Sequence, residues 1–336
     1  MKPLPPSHSF MLPILRRLAP VLNATVEFEP LYGIVGLIRF PNGRQSYFWH
    51  NKFNLNSVAS ARIAQDKGYA GYFLKIHGFQ VPETSVFLQD AWARRIGSGD
   101  NTAAAQAFAE RLGWQVFLKP VRGSGGDGIV RTASREEYDA MASEIFAKQK
   151  KVLVQEACAG RDYRVVVLDG QVISAYERVP LMVLGDGSHT ISELLAAKQR
   201  EFQQSGRDTI IPVSDPRIVQ VLRREGLSLA SILPSDTWQR LLDVANLSCG
   251  GTTDDVTGLL HPGIAELASS IAASMDLRFA GVDILLSAPD EPPENYQVLE
   301  VNSAPGLDHY AASGVEQEAH VDALYLKVLQ AIAHGP

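Results

Sequence analysis

Two segments far apart in the chain carry the residue types that handle a polyphosphate and its counter-ion. The first is Lys119-Pro120-Val121-Arg122-Gly123-Ser124-Gly125-Gly126-Asp127-Gly128, and the second is Asp283 followed by Glu300-Val301-Asn302. Glycines let backbone N–H groups approach phosphate oxygens where a Cβ would block them, and a lysine adds a point positive charge. Two carboxylates and an amide supply hard oxygen donors of the kind Mg2+ takes. The two segments together point to ATP with Mg2+.

Gly123-x-Gly125-x-x-Gly128 also matches the dinucleotide fingerprint letter for letter, but its setting differs. A dinucleotide loop opens a helix directly. Here residues 129–132 read as extended, and the next helix starts only at the capping box Ser134-x-x-Glu137. Strand, glycine loop and strand make a flap, with Lys119 at the end of the entering strand. Taken alone, the loop reads equally well as an exposed glycine turn beside a surface lysine. In the second segment, the two-residue period of a strand places Glu300 and Asn302 on one face and Leu299 and Val301 on the other. Asp283 sits among Val282, Ile284 and Leu285 on the partner strand of a predicted hairpin, where a lone charge is costly unless a cation meets it. Taken singly, each carboxylate also reads as part of a solvated sheet face.

The elements that must position these residues are legible in outline. Residues 35–40 and 45–49 form a predicted hairpin around Pro41-Asn42-Gly43, and residues 56–77 a predicted helix ended by Gly78 ahead of Pro82. Residues 163–168 and 172–179 form a second hairpin through Asp169-Gly170. A helix begins at Pro262, with Ile264, Leu267, Ala268, Ile271 and Met275 on one face. Residues 237–246 read as either helix or strand. The expected division is a small αβ unit over residues 1–95, a flap-bearing unit over 96–179 and a metal-bearing unit over 180–336.

The chain has 336 residues, 46% of them hydrophobic and 20% charged, as an ordinary globular protein would. A net charge of −6 and the lack of a basic stripe argue against nucleic acid as the main partner. Cys158 and Cys249 form no close pair, which suits a reduced, cytoplasmic setting. The apolar run Met11-Leu12-Pro13-Ile14-Leu15 is too short to cross a membrane.

From about residue 56 to 314 these motifs resemble the ATP-grasp ligase superfamily, and most of all the ATP-grasp portions of cyanophycin synthetase and bifunctional glutathione synthetase. The matching stretches include Asp66-Lys67, Lys119-Pro120 with its glycine loop, Gly160-Arg161-Asp162-Tyr163-Arg164 and Arg178-Val179-Pro180. Further on come Gly185-Asp186-Gly187, Ala245-Asn246-Leu247-Ser248-Cys249-Gly250-Gly251, Ala280-Gly281-Val282-Asp283 and Glu300-Val301-Asn302-Ser303-Ala304-Pro305-Gly306. The resemblance implies an α+β, ATP-grasp fold in which two α+β subdomains grip ATP, preceded by a small αβ N-terminal domain. It implies an acyl-phosphate intermediate attacked by an amine or thiol, amino acids or peptides as substrates, and a homodimer.

Residue by residue, the resemblance makes Lys67 and Lys119 the phosphate-binding lysines and Gly123, Ser124, Gly125, Gly126 and Gly128 the phosphate flap. Gln155, Glu156 and Cys158 fall on the strand that contacts adenine, and Asp162 on the ribose hydroxyls. Asp283, Glu300 and Asn302 become the metal ligands. Relatives usually have glutamate at the position of Gln155, and a lysine where this chain has Gly71. Arg178 becomes the group that neutralises the transferred phosphoryl group or the oxyanion, with Lys119 assisting. Arg164, Asn246 and His309 are further candidates for substrate contact, while the two cysteines read as packed side chains. Two other functions are compatible with such a site: a small-molecule kinase and a non-catalytic ATP-binding regulatory module.

Overall fold

The computed structural model of the chain describes residues 10–123, 128–204, 207, 209–211, 213, 215–311 and 314–335. The chain opens with the helix Met11–Leu18, whose Met11, Ile14, Leu15 and Leu18 recur at helical spacing and are all buried. An antiparallel meander follows: β1 (Thr25–Phe28), β2 (Val35–Arg39), β3 (Gln45–Trp49) and β4 (Lys52–Phe53). The expected hairpin is β2 and β3, with Val35 opposite Trp49 and Arg39 opposite Gln45.

Where one helix was expected over residues 56–77, two form: Val58–Ala64 and Lys67–Ile76. Asp66 breaks the run, because its carboxylate accepts a hydrogen bond from the Tyr69 N–H and caps a new helix start. The break places Lys67 at the first helical position, where its own N–H is bonded to the Val121 carbonyl at the base of the flap.

A second antiparallel sheet contains β5 (Thr84–Leu88), β6 (Val116–Pro120), β7 (Val130–Thr132) and β8 (Lys151–Glu156), in the order β5-β8-β6-β7. The flap joins β6 to β7, as the sequence suggested. The helices Thr102–Arg111 and Arg135–Lys148 pack on this sheet through Ala105, Ala109, Tyr138, Ile145 and Phe146.

The third sheet begins with β9 (Arg161–Leu168) and β10 (Gln171–Val179). The chain then leaves through a ribbon, β11 (Met182–Leu184) with β12 (Trp238–Arg240), whose lobe holds the helices Ile191–Gln204 and Pro216–Arg224 around its own core. It returns as β13 (Thr252–Asp255), β14 (Phe279–Leu286) and β15 (Gln297–Asn302), giving the order β13-β10-β9-β14-β15. The helix expected from Pro262 runs Pro262–Ser274 and covers one face, against Val165, Val167, Ala280 and Val282.

The opposite face of the third sheet is covered by the N-terminal meander, the helix Met11–Leu18 and the final helix Val315–His334. Val166, Leu168 and Phe279 meet Ile38, Phe48, Leu324 and Val328 there, each large side chain contributing about 1.5–3 kcal/mol by leaving water. Sheet and core membership therefore cross the expected boundaries at 95 and 179. β5 joins the flap sheet, β9 and β10 join the sheet of the acidic hairpin, and the two ends of the chain share one core. Among the described residues, no helix is long and apolar enough to cross a membrane.

Candidate active site

One face of the third sheet changes character along its strands. On β9 the period of two takes that face from Leu168 and Val166 to Arg164 and Asp162; on β14 it runs from Phe279 to Asp283. Strand register then sets the charges opposite one another: Asp283 faces Arg164, and Arg178 on β10 faces Asp162. The apolar end lies under the N-terminal meander and the ionic end floors a cleft. Gly281 lies between, where an added Cβ would come within 2.9 Å of Pro305 and 3.3 Å of the Arg164 side chain.

The ion pairs on this floor are close. Arg164 holds both carboxylate oxygens of Asp283, at 2.6 and 2.7 Å. Arg178 adds a contact to Asp283 at 2.8 Å and donates to Asp162 at 2.7 Å. Asp283 is fully buried. Glu300, registered opposite Asp283, pairs with Lys67 at 3.2 Å and accepts from the Asn302 amide nitrogen at 3.1 Å. Burial raises the pKa of the Glu300 carboxyl, but Lys67 and Arg164 outweigh it and hold the group well below its ordinary range.

The other wall is the flap sheet. Lys119 hydrogen-bonds the Gln155 amide oxygen at 2.5 Å, and Lys67 reaches the Gly123 carbonyl at 3.2 Å. Burial lowers the Lys119 ammonium to about 8, with Glu300 opposing and Lys67 reinforcing the shift. Gly123, at φ +149°, takes a backbone conformation that suits glycine. The chain crosses between the walls through Gln155, Glu156, Ala157, Cys158, Ala159 and Gly160, all lining the cleft. Gly160, at φ +141°, would carry a Cβ 2.9 Å from Leu285, so the crossing needs glycine there.

The enclosed volume is about 580 Å³, within the range of small-molecule sites. It brings together Lys67, Lys119, Gly123, Gln155, Glu156, Cys158, Asp162, Arg178, Asn246, Asp283 and Glu300 from the sequence-derived set. Asn302 reaches the cleft only through its bond to Glu300. Gly128, at φ +67°, lies next to Pro120 and does not itself line the cleft. Arg164 lies beneath, in the ion-pair layer. Ser124, Gly125 and Gly126 lie outside the described residues, as does the side chain of His309.

The expected facing of Leu299 is overturned. Leu299 lines the cleft beside Glu300, while Val298 and Val301 are both in the core. Asp283 pairs with Glu300 but Ile284 pairs with Val298, so β15 carries one extra residue. That bulge breaks the period of two and turns Leu299 to the same side as Glu300. Sequence reasoning also missed Arg131, Met182, Arg240 and Asp243 on the walls. Arg240 and Asp243 fall in the segment whose periodicity was ambiguous, and no local pattern marks them.

The donor set can be weighed against the two expected ligands. Lysines and arginines converge on a cleft of suitable volume, which fits a polyphosphate. For a hard cation, the Asn302 amide oxygen is left out of its bond to Glu300, whereas the Glu300 oxygens are engaged by Asn302 and Lys67 and fit once Lys67 turns away. Asp283 fits only when an arginine withdraws, because both its oxygens are engaged. Among the described residues no three His, Cys, Asp or Glu side chains converge to hold an ion.

A sheet with a glycine flap facing a second sheet with an acidic hairpin is the arrangement of a nucleotide-gripping protein. Residues 73–186 match the family model described as D-ala D-ala ligase C-terminus, and residues 243–324 that described as RimK-like ATP-grasp domain. Cyanophycin synthetase of Trichormus variabilis is 34% identical over 263 residues, which are 76% of this chain and 28% of that protein. The glutathione biosynthesis bifunctional protein GshAB of Mannheimia succiniciproducens is 29% identical over 267 residues, 76% of this chain and 34% of that protein. This chain thus spans only 28% to 34% of the length of these relatives. The crystal structure of a bifunctional glutathione synthetase from Pasteurella multocida has the same fold, with a TM-score of 0.55 at 24% identity over 90% of this chain and 41% of that one. The chain belongs to the ATP-grasp superfamily.

Proposed function

We propose that the chain is an ATP-dependent carboxylate–amine ligase acting on amino acids or peptides. The observation that supports it most is the meeting of Lys67, Lys119 and Gly123 with Glu300 and Arg178 in one cleft. The names of its relatives support the substrate class: D-ala D-ala ligase joins amino acids, and glutathione is a peptide.

In this reading a carboxylate oxygen attacks the γ-phosphorus of ATP, the bond to the bridging oxygen breaks, and ADP leaves. An amine then attacks the acyl carbon of the acyl phosphate, inorganic phosphate departs with the bonding pair, and the nitrogen gives up a proton to solvent. Such chemistry depends on positioning and charge neutralisation more than on a nucleophile and base pair. Lys67 and Lys119 place the phosphates, Arg178 meets the charge that develops on the transferred group, and Asp162 accepts from the ribose hydroxyls. Glu156 and Cys158 offer backbone groups to the base. Glu300, Asn302 and Asp283 are the residues that would hold Mg2+, which when bound would screen the phosphate charge.

Hydroxylamine trapping tests this. With ATP, Mg2+ and a panel of amino acids, an acyl phosphate yields a hydroxamate together with ADP. ADP without hydroxamate would make the chain a small-molecule kinase. No ADP with any pair, despite nucleotide binding, would make it a regulatory module.

A further inference from the structure

Lys119 is one of three residues on adjacent strands of the flap sheet joined by a directional run of hydrogen bonds. The Thr84 hydroxyl on β5 donates to the Pro82 carbonyl at 2.8 Å. The Gln155 amide nitrogen on β8 donates to the Thr84 hydroxyl at 3.2 Å, and the Gln155 amide oxygen accepts from Lys119 on β6 at 2.5 Å. A hydroxyl has one proton, and a carbonyl can only accept. The Thr84 proton is therefore committed to Pro82, and its oxygen offers only lone pairs to Gln155. That forces the amide nitrogen toward Thr84 and the amide oxygen toward Lys119. Register places Thr84 opposite Gln155, and Lys119 is its diagonal neighbour, two residues beyond Phe117, which stands opposite Gln155 on the other side.

We propose that Thr84 and Gln155 are positioning residues that aim Lys119 at the nucleotide phosphates. The proposal rests on the reading of the cleft as a nucleotide site. Gln155 is 6% exposed, so its amide could not turn without leaving polar groups unpaired. A neutral acceptor fixes the ammonium without cancelling its charge, whereas a carboxylate at this position would compete with phosphate for it. The other charges around Lys119 come from four further elements: Glu300 on β15, Asp162 on β9, Arg178 on β10 and Lys67 at its helix start. The Phe117 ring lies 5.1 Å from the ammonium. None of these can replace the neutral amide as a fixed hydrogen-bond acceptor without adding or opposing charge.

The test compares Thr84→Val, Thr84→Ser and Gln155→Leu with the unmodified protein. Two readouts are taken on the whole chain: ATP affinity by calorimetry, and the rate at which an amine-acylating reagent labels Lys119 in the nucleotide-free protein, followed by peptide mass. Thr84→Val and Gln155→Leu are expected to weaken ATP binding about tenfold, the scale of one hydrogen bond to a charged group. Both should speed labelling, because an ammonium without its acceptor loses its proton more easily. Thr84→Ser should restore both values. If the unmodified protein binds no ATP, the nucleotide reading fails. If it binds ATP while both Thr84→Val and Gln155→Leu match it in affinity and labelling, the relay is refuted and the nucleotide reading stands.

Discussion

Asp283 and Glu300 stand opposite one another on neighbouring strands and share Arg164, which is 2.6 Å from Asp283 and 3.8 Å from Glu300, yet each turns to a second cation of its own. Asp283 is clasped by Arg164 and Arg178 in the buried layer, whereas Glu300 turns to Lys67 across the cleft. One carboxylate holds the floor together and the other faces the cleft. The two therefore differ in what their removal does.

Asp283→Asn keeps the shape but leaves two arginines, whose side chains are 12% and 9% exposed, short of their counter-ion. The expected loss is about 3–5 kcal/mol of folding stability, the cost of breaking a buried pair from one side. Urea unfolding measures it; a loss below about 1 kcal/mol would show that the arginines are satisfied without Asp283.

Glu300→Ala removes the carboxylate that faces the cleft. Mg2+-dependent ADP release should fall by about a hundredfold or more while circular dichroism stays that of the unmodified protein. Full turnover in a folded variant would remove β15 from the proposed metal site.

The Lys119 ammonium, lowered to about 8, is complete below that pH and lost above it. If the charged form holds phosphate as proposed, ATP affinity of the free protein should be level below pH 8 and fall above it, by up to about tenfold per unit. Calorimetry from pH 6.5 to 9.5, windows chosen about the Lys119 value, reads the profile. An affinity unchanged across the range would mean that Lys119 contributes no charge to binding.

Arg224 joins three parts of the molecule. It holds Glu137 of the helix Arg135–Lys148 at 2.8 Å, Asp243 at 2.7 Å, and the Arg131 carbonyl at 2.7 Å. Arg224→Ala should cost about 2–4 kcal/mol and loosen the ribbon lobe from the flap sheet. Hydrogen exchange should quicken in both elements together; quickening confined to the helix Pro216–Arg224 would mean that the two do not move as a unit.

Burial raises the Cys158 thiol to about 11, with Glu156 adding to the shift. Very little thiolate exists at neutral pH, so iodoacetamide should label Cys158 roughly a hundredfold more slowly than a free cysteine. Labelling at the rate of an exposed thiol would contradict its packed role.

The strands on either side of the glycine loop, Lys119 at the end of the first, and the acidic hairpin were legible because each is written in one short stretch: a β-branched strand, a turn. The helix start at Ser134 and the hairpin through Asp169-Gly170 formed as read, for the same local reason, although the Glu137 carboxylate accepts from the Ala133 N–H in place of the Ser134 N–H of a full capping box. The break at Asp66 was missed because a cap competes with an unbroken apolar helix pattern, and the carboxylate won by satisfying the Tyr69 N–H. Leu299 was misplaced because a bulge is a property of two strands in register and leaves no mark on one.

The sequence by itself determined the chemistry that the two segments carry and the strands and turns that present it, since these depend on neighbours within a few residues. Only the tertiary structure decided that Asp283 faces Arg164 and that Gln155 turns its oxygen to Lys119. It also decided that Arg224 ties the ribbon lobe to the flap sheet, and that the first and last helices share a core. Each of these contacts joins positions far apart in the chain, and their partners are chosen by strand register and by the need to pair every buried charge and polar group.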